Sequence, residues 1–195
     1  MPGTILGILG KQRSGKTLLA YKIVRFFSKE LDIPVYTNIF SPDDGFYWIN
    51  SITEFPLDLE PKILFIDEVY NGMDSQDYRL LKDVSIFINT LGKQNCLFVY
   101  TTIDSSMVYN RLRNQTQYAV MVNSDADNIY YRWADISRSF YRDFSVPKIP
   151  ELFKDVNYDT RFIPLDFDWK MGAWKDKLAF FYLENYNLDM RKYII

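Results

Sequence analysis

Gly10-Lys11-Gln12-Arg13-Ser14-Gly15-Lys16-Thr17 is the stretch that decides the fold. It fills every position of the pattern G-x-x-x-x-G-K-[ST], following the apolar run Thr4 to Leu9 and preceding a helical pattern, the setting this pattern requires. In a chain of 195 residues a chance match is on the order of one per cent by average residue usage. Gly10 and Gly15 let the backbone turn so that successive N–H groups converge, and the following helix adds the positive end of its dipole. Such a turn cradles phosphate oxygens. Residues 10–17 together with Leu18 form the candidate nucleotide-binding set, in which Lys16 reaches the beta and gamma phosphates and the Thr17 hydroxyl ligates magnesium. Gly7, inside the preceding run, reads as a packing accommodation.

Outward from this turn, short apolar runs alternate with helical patterns, which predicts an α/β fold with a parallel sheet flanked by helices. The runs are Thr4 to Leu9, Pro34 to Thr37, Lys62 to Ile66, Cys96 to Thr101 and Tyr118 to Val122. Lys16 to Phe27 is apolar on most faces, as a helix packed on a sheet should be. A second helix is expected from about Ser75 to Leu91, where Leu80, Leu81, Val84, Phe87, Ile88 and Leu91 recur at helical spacing. A shorter one is expected from Ser105 to Leu112. After the turn-rich residues Asn123 to Asn128, Ile129 to Ile136 reads as a hairpin at the sheet edge. Pro147, Pro150 and Pro164 break up the remainder, and an amphipathic helix around Ala173 to Tyr186 closes it. The expected division is a core over 1–145 and an extension over 146–195 packed on it, one domain in all.

The second half of the site is Ile63-Leu64-Phe65-Ile66-Asp67-Glu68, an apolar strand ending in two carboxylates about fifty residues after the glycine-rich turn. A parallel sheet places its strand ends along one edge, so the two segments can meet. Asp67 is then placed to hold magnesium through water, and Glu68 to orient and polarise an attacking water. A glutamate directly after the metal-binding aspartate favours hydrolysis over transfer to a small acceptor.

Composition limits the chemistry further. The chain has no histidine, which removes imidazole bases, Ser-His-Asp triads and the common zinc sites. Its one cysteine, Cys96, lies in an apolar run and reads as a core residue. The formal net charge of −2 gives no overall basic surface. No stretch approaches the roughly 20 apolar residues of a membrane span, and the N-terminus has no signal pattern, so a soluble, intracellular protein is expected.

From Asp67 to Tyr118 the chain resembles the FtsK/HerA branch of ring ATPases, and within it the small genome-packaging ATPases of archaeal and other double-stranded DNA viruses. The residues that carry this are Asp67-Glu68-Val69-Tyr70, Asp74-Ser75, Leu97-Phe98-Val99-Tyr100-Thr101-Thr102 and Val108 to Tyr118. Tyr158-Asp159-Thr160 is similar to a further family element. The resemblance implies a RecA-like (ASCE) P-loop NTPase with a β-hairpin and a C-terminal helical extension. It also implies ATP and Mg2+ as ligands, a homo-oligomeric ring, and packaging of double-stranded DNA into a capsid, with a capsid or portal protein as partner. The implied location is the cytoplasm, that of the host for a viral chain, or the virion. The chain departs from the family at Ile103, where a glutamine sensor is usual, which leaves Thr102 or Asp104 as substitutes. Gly92 to Asn95 lacks the usual arginine. Arg111 and Arg113, straddling Leu112, are candidates for an arginine finger acting on a neighbouring subunit, with Arg79 as a rival.

Three other readings remain at this point. A small-molecule or nucleotide kinase would use Arg132, Arg138 and Arg142 as a lid. A Zot-like phage assembly ATPase belongs to the same branch. A nucleotide-stabilised interaction module would hardly turn over. A GTPase is disfavoured by the lack of an Asn-Lys-x-Asp element.

Overall fold

The computed structural model describes residues 3–72, 78–159, 161–162 and 165–190. Asp74-Ser75, the start of the expected second helix, Thr160 and Pro164 lie outside these residues, as do the side chains of Arg79, Leu80 and Leu81. Among the described residues no helix is long and apolar enough to cross a membrane.

The runs read from the sequence become strands β1 (Ile5–Leu9), β2 (Val35–Thr37), β4 (Lys62–Ile66), β5 (Cys96–Thr102) and β6 (Tyr118–Ser124). Three more are β3 (Phe46–Trp48), β7 (Asn128–Asp135) and β8 (Phe140–Pro147). All eight form one sheet in the order β3-β2-β4-β5-β1-β6-β7-β8. The pairs from β3 to β6 are parallel, whereas β6–β7 and β7–β8 are antiparallel. Every residue of β4 and β5 is buried, because helices cover both faces of the sheet there.

Alternation along the central strands divides the core. Leu6, Ile8, Ile63, Phe65, Leu97, Val99, Val120 and Val122 pack with Leu18, Ala20, Tyr21 and Val24 of helix α1 (Lys16–Leu31). On the other face Ile5, Leu64, Ile66, Phe98 and Tyr100 meet Val84, Phe87 and Ile88 of helix α2 (Tyr78–Thr90). Phe167, Trp169 and Met171, each 1% exposed, complete this second cluster, so part of the aromatic tail does cover the core. Gly7 faces the same side; a Cβ there would lie 2.6 Å from Tyr100 Oη, confirming its packing role. Cys96 is fully buried and its thiol is pushed up to about 12 by burial.

Several expectations need correction. The helix expected from Ser105 to Leu112 is two pieces, a 3-10 turn (Ser105–Met107) and helix α3 (Asn110–Gln115). Asp104 accepts a hydrogen bond from Ser106 N–H to cap the first piece, and Val108 then turns extended to bury its side chain. The edge hairpin is not folded within residues 129–136. It is the pair β7–β8, joined through Ile136 to Ser139, and β6 runs on through Asn123 and Ser124. After the short helix α4 (Pro150–Phe153), helix α5 (Gly172–Tyr186) buries Phe181 but exposes Phe180, Leu183 and Tyr186, so it lacks a single apolar stripe. β3 escaped notice because three aromatic residues at an edge are too short to show a period.

Candidate functional site

The register brings the C-terminal ends of β1, β4 and β5 level, with Leu9 opposite Thr102 and Ile66 opposite Tyr100. β5 lies between the strand leading into the glycine-rich turn and the strand ending in the acidic pair. At this edge Gly10 N–H donates to Thr102 O at 3.2 Å, and Ser14 N–H to Lys11 O at 3.2 Å. A Cβ on Gly10 would lie 2.2 Å from Val122 O, so the close approach of β6 admits only glycine. Gly15 leads into α1 with φ 98°, a left-handed conformation that glycine adopts without strain. Ser14 Oγ is buried without a hydrogen-bond partner among the described residues, an arrangement that costs about 1–3 kcal/mol unless something polar meets it. Lys16 is 5% exposed and its Nζ donates to Lys11 O at 2.9 Å, curling over the turn. Burial lowers its ammonium pKa, while Asp67 and Glu68 work in the opposite direction.

One line of hydroxyls joins the turn to the acidic pair. Thr17 Oγ1 donates to Asp67 Oδ1 at 2.9 Å, and Thr101 Oγ1 donates to the same oxygen at 2.7 Å. Thr101 Oγ1 in turn accepts from Glu68 N–H at 2.8 Å. Burial raises the Asp67 pKa, and the bonds from Thr101 and Thr17 oppose that rise by favouring the carboxylate. Glu68 has φ 51°, left-handed for a residue with a Cβ, a cost of order 1–3 kcal/mol that clusters at functional positions. Asn71 Nδ2 donates to Glu68 Oε2 at 3.3 Å.

Thr101 and Asn38 were not singled out from sequence. Asn38 is buried at the end of β2; its Oδ1 accepts from Asp67 N–H at 2.8 Å and its Nδ2 donates to Asp67 O at 2.9 Å. A side-chain amide thus continues the β2–β4 ladder and fixes the Asp67 peptide. Asn38→Ala is therefore expected to cost about 2 kcal/mol or more, since both buried peptide groups lose a partner. A urea midpoint equal to that of the parent protein would remove this role from Asn38.

Beside the turn is a cleft of about 310 Å³ lined by residues 13–18, Ile129, Lys148, Phe153 and Tyr158. Lys148 and Phe153 were also missed, and Tyr158 was marked from sequence only as part of a family element, not as a site residue. Tyr158 packs on Tyr21 with ring centroids 5.0 Å apart, and its hydroxyl is pushed up to about 12 by burial, with Asp67 and Tyr21 adding to the rise. It stays neutral beside the phosphate turn.

The remaining candidates are placed differently from one another. Thr102 Oγ1 donates to Asp104 O at 3.0 Å and Asp104 caps the 3-10 turn, so both sensor candidates are engaged in local structure. Arg111 and Arg113 are exposed on either side of the fully buried Leu112, as expected. Arg113 donates to Asn110 Oδ1 and to Ser105 O, while Arg111 lines a separate cleft between α2 and α3. Arg132 binds Asp143 across the β7–β8 pair through two contacts of 2.8 Å, and Arg138 lies 3.6 Å from Asp135. Two of the three arginines of a supposed lid are thus paired within the hairpin. Among the described residues there is no cluster of three or more acidic, histidine or cysteine side chains that could hold a metal.

No family model matches the chain, and no curated protein matches it in sequence. Its structure is similar to the N-terminal domain of zonular occludens toxin from Neisseria meningitidis, at TM-score 0.57 and 16% identity, over 82% of this chain and 100% of that one. It is similar to the DNA-packaging ATPase from Sulfolobus Turreted Icosahedral Virus, at TM-score 0.54 and 12% identity, over 73% of this chain and 97% of that one. The genome packaging NTPase of Sulfolobus turreted icosahedral virus 2, in complex with ATP-gammaS, gives TM-score 0.53 and 9% identity, with 73% and 97% covered. The chain has the RecA-like fold of P-loop ATPases, and in that fold it resembles the viral genome-packaging ATPases.

Proposed function

We propose that this chain is a magnesium-dependent ATPase that assembles as a homo-oligomeric ring and drives double-stranded DNA into a viral capsid. The observation that carries hydrolysis is the contact of Thr17 with Asp67 at 2.9 Å, with Glu68 held beside it through Thr101. Lys11, Gln12, Arg13 and Gly15 offer backbone N–H groups to phosphate oxygens, Ser14 offers a hydroxyl with no partner among the described residues, and Lys16 adds a positive charge. Thr17 and Asp67 are the hard oxygen donors that suit magnesium, which prefers a few protein ligands beside phosphate and water. A magnesium held by Thr17, and by Asp67 through water, would neutralise phosphate charge. Glu68 accepts a proton from water, and the fixed peptide at residue 68 sets where its carboxylate can swing.

Packaging, DNA as substrate and the ring rest on the fold shared with the packaging ATPases and on the resemblance over Asp67 to Tyr118. The pairing of Arg132 with Asp143 weighs against the kinase reading. The Zot-like reading draws support from the full coverage of the zonular occludens toxin domain.

Phosphate release from ATP, measured with and without double-stranded DNA and beside a panel of acceptor nucleosides, separates these readings. We expect hydrolysis that needs magnesium, is stimulated by DNA of any sequence, and loses DNA binding steeply with salt as phosphate contacts release counterions. Salt-independent DNA binding, or no stimulation at low salt, would sink the translocase reading. Phosphorylated nucleoside in the panel would favour the kinase.

A further inference from the structure

We propose that the segment 148–158 forms the nucleobase subsite, and that Phe153 and Tyr158 hold the base by its ring faces rather than by its hydrogen-bonding edge. Adenine and guanine nucleotides are then bound about equally. The inference rests on the reading of residues 10–17 as the triphosphate site.

The segment is a strap fixed at both ends. At the β8 end, Lys148 N–H donates to Asp127 O at 2.7 Å and Lys148 Nζ donates to Asp125 O. At the other end Asn157 Nδ2 donates to Asp43 Oδ1, and Asn157 N–H to Tyr21 Oη at 3.4 Å. Asp43 is itself held by Arg25 Nε at 2.8 Å and by the Tyr21 hydroxyl. Between the anchors Leu152 and Val156 pack on the α1 side of the core. The strap thereby faces the phosphate turn and the first turn of α1, and the cleft of about 310 Å³ lies between them. That volume is at the small end of the range for ligand sites, about 300–1,000 Å³, and suits part of a nucleotide rather than all of it.

The chemistry of the wall decides how a base is held. Phe153 is 50% exposed and, among the described residues, stacks on no other ring. A large apolar side chain left open inside a cleft is the surface a flat aromatic ligand covers. Among the described residues no carboxylate or amide side chain lines the cleft. The ammonium of Lys148 is already bonded to Asp125 O, and the neutral Tyr158 hydroxyl can either donate or accept. This wall fixes no acceptor for the amino edge of adenine, so an edge preference can come only from the remaining donors of Lys148 and Arg13 toward the carbonyl of guanine, and stacking supplies the affinity common to both bases.

The test is calorimetric titration of the full chain, with magnesium, by ATP-gammaS, GTP-gammaS and inorganic tripolyphosphate. Because every base offers a ring face, the two nucleotides should have dissociation constants within about threefold of each other, and Phe153→Ala should weaken both by about tenfold or more. Tripolyphosphate should bind Phe153→Ala as it binds the parent, and Phe153→Trp should restore nucleotide affinity. Unchanged nucleotide affinity in Phe153→Ala, or a preference for one purine beyond about thirtyfold, overturns the stacking subsite while leaving the phosphate site standing. If neither tripolyphosphate nor any nucleotide binds the parent protein, the phosphate-site reading fails and the base subsite fails with it.

Discussion

Glu68→Gln should bind ATP as well as the parent protein does and lose turnover by about 10²-fold or more, the range for a removed acid–base group. Lys16→Ala should do the reverse, losing nucleotide affinity first. The two residues stand on different supports. Lys16 leans over the phosphate turn through its bond to Lys11 O, whereas Glu68 is tied to the Asp67 carboxylate through the Thr101 hydroxyl. Glutamine keeps the size of Glu68 and the backbone bond to Thr101, so only the capacity to take a proton is lost. Normal hydrolysis by Glu68→Gln, measured as single-turnover phosphate release, would falsify the assignment of Glu68 as base.

Arg111→Ala/Arg113→Ala should be nearly inactive alone, by about 10³-fold, and should regain activity when co-assembled with inactive Glu68→Gln. In a ring, some interfaces of such a mixture join an intact acidic pair to intact arginines. Both side chains are exposed, Leu112 between them is buried, and among the described residues Arg113 bonds to Asn110 and a backbone carbonyl. Neither forms a salt bridge with an acid among the described residues, which leaves their charge available to a neighbouring phosphate. Mixed assemblies confirmed by mass that recover no activity would eliminate a trans role for this pair.

Much of the architecture was legible because its signals are local. The phosphate turn is eight consecutive residues, and five of the six parallel strands, all but β3, are apolar runs long enough to stand out. The partners of Asp67 were not, because they depend on which strands are neighbours. Thr101 reaches Asp67 across 34 positions and Asn38 across 29, and only the order β2-β4-β5 makes either contact. Phe153, and the place of Tyr158 in the cleft wall, were hidden for a similar reason, since a proline-broken tail gives no period from which to infer its docking. The division of 105–112 into two short helices was missed because Val108 fits a helical spacing and is buried by leaving it.

The strand that leads into the phosphate turn is first in the chain and yet sits in the interior of the sheet, paired only with β5 and β6. During synthesis β2, β3 and β4 can find one another early, while residues 5–9 wait for residues 96–124 to be made. Contacts of such long sequence separation are formed slowly, after the entropy of closing a large loop has been spent. A nascent chain that ends before residue 96 therefore lacks both neighbours of β1, one that ends before residue 118 still lacks β6, and the first complete nucleotide-competent state comes late. Stalled chains of increasing length, probed for protease resistance of residues 5–31, should show a sharp gain once β6 has emerged.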